Sequence, residues 1–370
     1  YMNPLQMNKY SFSVKDKLGE GRQSIVYKAM DQNEEFVAIK VFKAKSSSCQ
    51  FDPQKCWMAE QQNLKRCQCP YVITLLDSVQ QRGNYWIVME LAEYTLRQEI
   101  ETLEVTEDLV WLRFLQVLLG LAKVHSQNIL HRDLKPENVF VVNNVAKLAD
   151  FGVSKQQSGF MQRTNTQIGT VCNFSPEKLA GQPYSNKSDV WELGILLYEI
   201  VTGNHPFHTN RLDLKELHQR ISAAQYEEVA GSEELAWVIK WLLEKDPQKR
   251  PNVCQLLNNE IIKKKLIKYN LGEYLTQNQQ ILDQIDFSEE NEREREENLT
   301  KIKSIQKRIV DEFLNYDEAV EQLQKLSGWI CVEQMINKYL MKNCSYIALM
   351  ENIPQEFKAI ISTVLELKKQ

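Results

Sequence analysis

One stretch of eight residues in this 370-residue chain is unusually dense in chemistry: His131-Arg132-Asp133-Leu134-Lys135-Pro136-Glu137-Asn138. Twelve residues beyond Asn138 comes Asp150-Phe151-Gly152. Moving a phosphoryl group calls for these side-chain types. One carboxylate must orient the incoming hydroxyl and take its proton, and another must hold Mg²⁺ on the phosphates. An amide oxygen can hold a second Mg²⁺, and a cation must offset charge on the phosphoryl oxygens. A merely polar loop between two buried segments would explain neither the order nor the spacing.

Two earlier features fit the same chemistry. In Gly19-Glu20-Gly21-Arg22-Gln23-Ser24-Ile25-Val26, two glycines let backbone approach phosphate oxygens without an obstructing Cβ. Alone, such a pair marks a turn as readily as a phosphate cradle. Fourteen residues after Val26, Lys40 ends the apolar run Val37-Ala38-Ile39-Lys40. A lysine there is costly if buried without a partner, and a carboxylate would fix it to hold phosphates. Glu60 is the natural partner, on the helix that Asp52-Pro53 opens with Asp as cap and Pro in the first turn.

The elements that must position these residues can be read from periodicity. Phe12 to Phe42 reads as strands, and strand-like runs recur around Val72 to Leu76 and Tyr85 to Glu90. Beyond Leu91, apolar residues recur at helical spacing over Leu109 to His125, Asp189 to Thr202 and Glu233 to Glu244. A β-rich first part followed by a helix-rich second part predicts two lobes. Past about residue 266 the chain turns polar, with six glutamates between Glu289 and Glu297. Leu299, Ile302, Ile305, Ile309 and Phe313 then form one stripe of an amphipathic helix.

Composition narrows the surroundings. A formal charge of -4 gives no broad nucleic-acid-binding face. Eight irregularly spaced cysteines suit neither a disulfide framework nor a metal site, and free thiols predict cytosol, with the nucleus as the other reducing compartment. No signal-peptide pattern opens the residues given, and the apolar stretch Phe114 to Val124 is too short and too polar for a membrane span.

Taken in order, these motifs resemble the eukaryotic protein kinase family over residues 10 to 266. The resemblance implies an α+β bilobal fold, with a small β-rich N-lobe over about 10–90 and a larger helical C-lobe over about 95–266. A polar linker over 267–297 and a helical extension over 298–370 would follow. It implies that Asp133 is the catalytic base, that Asn138 and Asp150 hold Mg²⁺ (with Mn²⁺ as a substitute), and that Lys40 and Glu60 position ATP. Gly19, Gly21 and Val26 would roof the nucleotide, with Leu18, Ala38 and Phe140 completing its pocket. Met89 aligns as the gatekeeper, and the backbone of Glu90 to Leu91 would bond the adenine. Lys135 and Thr170 are marks of serine/threonine kinases. Ser175-Pro176-Glu177 looks like the family's Ala-Pro-Glu, with Arg250 placed to pair with Glu177, and Asp189 would brace the catalytic loop.

Some positions depart from the pattern. Ser24 replaces the third glycine, Asn173 stands where tyrosine is common, and the stretch after Met89 lacks the usual glycines. The resemblance also implies control. Phosphorylated Thr166, made by an upstream kinase or by a second copy of the chain, would order the activation segment through Arg132. Substrates would be proteins bearing Ser or Thr, with a basic preference if Glu137 and Glu93 meet the peptide. Asn128-Ile129-Leu130 and Val139-Phe140-Val141 look somewhat like the NIMA-related or calcium/calmodulin-dependent groups. The rival reading is a catalytically dead nucleotide-binding scaffold whose C-terminal helices bind a protein partner. The presence of Lys40, Asp133 and Asp150 together speaks against it.

Overall fold

Alternation and β-branching build the first layer. In a computed structural model, which describes residues 5–7, 9–21, 23–43, 52–81, 83–102, 105–150, 171–208 and 213–277, the N-terminal part forms a seven-stranded antiparallel sheet. Its strands are β1 (Leu5–Met7), β2 (Tyr10–Phe12), β3 (Lys17–Glu20), β4 (Ser24–Asp31), β5 (Phe36–Phe42), β6 (Leu75–Gln81) and β7 (Asn84–Glu90). Their order is β1-β2-β4-β5-β7-β6, with β3 also paired to β4. Side chains alternate across a strand. Val37 and Ile39 of β5, with Trp86 and Val88 of β7, therefore enter a core shared with Phe12 and Tyr27. Ala38 and Lys40 point to the opposite face, and the register sets Ala38 beside Met89 and Lys40 beside Ile87.

Helix α1 (Pro53–Arg66) starts as expected, with the Asp52 carboxylate accepting from the N–H groups of Gln54 at 3.0 Å and Lys55 at 3.4 Å. Its Trp57 indole donates to the Trp86 carbonyl at 3.0 Å, and Ser78 donates to Gln61 at 2.7 Å. These contacts fix the helix against β6 and β7.

The second part is helical around a small sheet of β8 (Tyr94–Thr95), β9 (Val139–Val142) and β10 (Val145–Leu148). Asn143 and Asn144, both at positive φ, make the two-residue turn between β9 and β10. The helices are α2 (Leu96–Thr102), α3 (Glu107–Ser126), α4 (Pro176–Leu179), α5 (Asn186–Thr202), α6 (Leu214–Ala223), α7 (Glu233–Leu242), α8 (Val253–Asn258), α9 (Glu260–Lys268) and α10 (Gly272–Gln277). Helix α3 is apolar nearly all round because it is the core helix, packed by β10, α5 and α8. By length and composition it could cross a membrane, a longer span than Phe114 to Val124 suggested, yet 83% of its apolar window is buried inside the fold. Gly120 lets it sit close: a Cβ there would lie 2.5 Å from the Tyr71 carbonyl oxygen.

The chain divides into two compact units, Tyr1–Ile285 and Asp286–Gln370, and every described residue lies in the first. The fold extends past the expected linker start at 267. Lys268 and Tyr269 both reach Asp108, at 2.6 and 2.7 Å, and Tyr274 of α10 meets Tyr71 edge-on with ring centroids 5.0 Å apart. The acidic run, the stripe from Leu299 to Phe313 and the extension over 298–370 lie outside the described residues.

Candidate active site

The site forms where the inner face of β5 looks toward the ends of β9 and β10. Lys40 is 8% exposed, and its Nζ lies 2.6 Å from Glu60 Oε1 and 2.6 Å from Asp150 Oδ1. Helix α1 delivers Glu60 because Trp57, three residues earlier, anchors that helical face to β7. β10 delivers Asp150, two residues past Leu148, which is locked by Leu148 N–H to the Tyr71 carbonyl at 2.9 Å and Ile73 N–H to the Leu148 carbonyl at 2.9 Å. Asp150 itself sits at φ +58°, backbone strain of a kind held only where surroundings over-determine it.

Burial pushes the Lys40 ammonium toward neutrality, but the carboxylates of Asp150 and Glu60 outweigh it and hold the pKa above its ordinary value. Lys40 in turn holds the Asp150 carboxyl below the usual range, against burial. Lys40 is therefore charged and Asp150 ionised at neutral pH.

The catalytic loop is held by α5. Asp189 is fully buried and accepts from the N–H of His131 at 2.9 Å, the N–H of Arg132 at 2.8 Å and the hydroxyl of Tyr184 at 2.5 Å. His125 Nε2 lies 2.8 Å from it. One turn on, Glu192 accepts from the N–H of Leu134 at 2.9 Å. These bonds hold the loop with Arg132 at φ +70°, directly before Asp133. Asn138 donates to the Asp133 carbonyl at 2.8 Å and to Asp133 Oδ2 at 3.0 Å, and Lys135 Nζ lies 3.2 Å from the same Oδ2. Because the Asn138 nitrogen is committed to Asp133, its amide oxygen is the atom left to ligate a metal.

The glycine turn closes with Gly21 N–H to the Ser24 carbonyl at 2.9 Å, and Lys43 ties Glu20 at 2.6 Å to the Gly21 carbonyl at 2.9 Å. A Cβ on Gly19 would meet nothing within 4 Å, and on Gly21 only ordinary contacts at 3.8 and 4.0 Å. Among the described residues, packing demands neither glycine. Leu18, 54% exposed, and Val26 flank that space on the paired strands.

Of the expected adenine contacts, Met89 is buried beside Ala38. The Glu90 N–H is committed to the Thr74 carbonyl at 3.2 Å, so it is not free to be the expected adenine donor. Phe140 pairs across the small sheet with Lys147 and Thr95. Thr166 and Thr170 lie outside the described residues, as do Phe151, Gly152 and Gly169. The brace is where the sequence placed it: Arg250 forks onto Glu177 at 2.8 and 3.0 Å.

Three features escaped the sequence reading. Lys147 clamps Glu90 at 2.7 and 2.8 Å, tying the strand before Asp150 to the link between lobes. Arg113 is 1% exposed and forks onto Glu99 at 2.7 and 2.8 Å. Arg97 reaches Glu137 at 2.8 Å and Glu199 at 2.5 Å. The only sequence signal for these was a charged residue inside an otherwise apolar helix, at Arg113 and Glu199.

Residues 12–262 match the protein kinase domain. The chain is 35% identical to the serine/threonine-protein kinase Nek5 of Homo sapiens over 223 residues, covering 58% of this chain and 30% of that one. It is 34% identical to Nek5 of Mus musculus over 258 residues, 66% of this chain and 39% of that one. To Nek1 of Mus musculus it is 29% identical over 262 residues, 68% of this chain and 21% of that one. The chain thus spans well under half the length of these curated relatives. With the domain match running through both lobes, the chain belongs to the protein kinase family, among NIMA-related serine/threonine members in likeness.

Proposed function

We propose that the chain transfers the γ-phosphoryl group of ATP to serine and threonine hydroxyls of proteins. One observation carries this reading: Lys40 Nζ stands 2.6 Å from both Glu60 and Asp150, although Asp150 is 110 residues away in sequence. That joins a phosphate-holding cation to a metal-holding carboxylate at one point. Asp133 orients the acceptor hydroxyl and takes its proton, held in place by Asn138. Lys135, beside Asp133, brings positive charge to where the transferred group meets its acceptor. Asn138 and Asp150 suit Mg²⁺, which accepts few protein oxygens and completes its shell with phosphates and water. Bound there, Mg²⁺ would neutralise charge developing on the phosphates. Gly19, Gly21, Leu18 and Val26 cover the phosphates and ribose side, and Ala38, Met89 and Phe140 shape the adenine slot.

The relatives' shared designation as serine/threonine-protein kinases supports the hydroxyl acceptor. Phosphorylation of Thr166, by an upstream kinase or in trans, belongs to the same proposal, with Arg132 as receiver of the phosphate. The irregular spacing of the eight cysteines supports a reducing compartment, cytosol or nucleus. The assembly of Lys40, Glu60 and Asp150 supports the active reading over the dead-scaffold alternative.

The test is transfer of label from γ-labelled ATP to a mixed Ser/Thr protein substrate. Asp150→Asn is expected to lower turnover about a thousandfold, and label should appear as phosphoserine and phosphothreonine. Unchanged turnover in Asp150→Asn would overturn the reading. A Thr166→Ala protein purified free of other kinases should lose most of its activity; full turnover would remove the phosphorylation step.

A further inference from the structure

Glu137 follows the catalytic base by four residues, on the short turn whose Asn138 is bonded to Asp133. Its side chain is 48% exposed, on the turn next to the base that an acceptor hydroxyl must reach. Glu199, from α5, comes up behind it with a side chain only 5% exposed. Two carboxylates this close repel, and each would welcome a cation. That cation is internal. Arg97, on α2, donates Nε to Glu137 at 2.8 Å and Nη2 to Glu199 at 2.5 Å, with its own side chain 25% exposed.

The neighbours locate the cluster. Charge from Glu199 and Glu137 bears on the Cys172 thiol, and charge from Arg97 bears on His205. His205 Nε2 lies 3.0 Å from Asn173 Oδ1. The cluster therefore borders residues 172–173, which lead into Ser175-Pro176-Glu177. Glu93, the other acidic residue expected to meet a peptide, accepts from the Asn143 N–H at 2.9 Å.

We propose that Arg97 determines substrate choice by filling, from within the chain, a carboxylate pair that would otherwise take a basic side chain of the acceptor peptide. This rests on the kinase reading above and deepens it. A guanidinium that forks between two carboxylates offsets their charge and gives a second arginine a like charge to face. The wild-type protein is therefore indifferent to arginine near the phosphoacceptor, and the basic preference that Glu137 and Glu93 suggest is absent. Removing Arg97 uncovers the pair and creates that preference.

The experiment uses the full chain and serine peptides that differ only in one arginine, walked through each flanking position. Wild type should show less than about threefold change in kcat/KM at every position. Arg97→Ala and Arg97→Gln should gain about tenfold at one position, through KM rather than kcat. Arg97→Lys, which keeps a cation, should stay flat, and adding Glu137→Gln to Arg97→Ala should erase the gain. A parallel arm measures fluorescence anisotropy of the arginine peptide with its serine replaced by alanine, so Arg97 is judged even if no variant transfers phosphate; absence of transfer throughout would sink the kinase reading instead. Tenfold arginine preference in wild type, no tighter arginine-peptide binding in either Arg97→Ala or Arg97→Gln, or a gain that survives Glu137→Gln would each overturn the proposal.

Discussion

Asp189 and Glu192, one turn apart on α5, face the same catalytic loop with different fates. Asp189 is buried, which raises its pKa, but His125 and Tyr184 with two backbone N–H groups more than compensate and hold it low. Glu192 has less support, and burial followed by repulsion from Asp189 pushes it up to about 8. Burial also pushes Glu199 up to about 7, against Arg97. Both carboxyls are held above their unfolded values, so the folded state binds protons the unfolded chain releases. Their stabilisation is full below about pH 4.5 and disappears as pH rises toward 7 and 8. Asp150 acts oppositely, losing its contribution only in acid. Thermal melts should therefore fall between about pH 6 and pH 8, and Glu192→Gln should flatten that slope. An unchanged slope would show that the proton is not on Glu192. Lys40 and its partner Glu60 were readable in sequence because a lysine closing a buried strand has few tolerable solutions. Glu192 was not, because its burial depends on a loop 58 residues away.

Helix and strand junctions carry the next level of constraint. Arg250 is fully buried, forked onto Glu177 and set 5.0 Å from the Trp191 ring. Arg250→Ala leaves the buried Glu177 without its opposite charge, with the Ser188 hydroxyl still donating to it, and should cost about 3–5 kcal/mol by chemical denaturation; a loss under about 1 kcal/mol would mean the pair is solvated. Gly194 of α5 is as tightly placed as Gly120: a Cβ there would lie 2.8 Å from Leu242 and Leu243. Gly194→Ala should destabilise by about 1–3 kcal/mol through overpacking of α5 on α7, although alanine is the better helix former. The sequence made α1 legible through its Asp-Pro start and α5 through its apolar spacing. It misplaced β6, taking the run from Val72 to Leu76 as the strand when the ladder is Leu75–Gln81. Asp77, Ser78, Gln80 and Gln81 sit on a strand at the end of the sheet order, where among the described residues one side of the ladder meets no neighbour and apolar alternation is not required.

At the scale of the first compact unit, a β-rich layer and a helical layer meet over one cleft. β5 and α1 supply Lys40 and Glu60, and the second sheet and α5 supply Asp150 and the braced loop of Asp133. The two-lobed plan followed from the change of periodicity near Leu91, and the cleft from motif order. The charge bridges that cross the molecule, Arg97 to Glu199 over 102 residues and Lys147 to Glu90 over 57, could not be read, because nothing local in their segments marks a partner so distant. The claim at the centre is that Asp133 is the proton acceptor and leaves nucleotide binding to the other residues. The direct measurement compares single-turnover phosphoryl transfer and nucleotide affinity in wild type and Asp133→Asn. The account predicts transfer slowed about a thousandfold with nucleotide affinity within about threefold of wild type. Transfer at the wild-type rate in Asp133→Asn would contradict it.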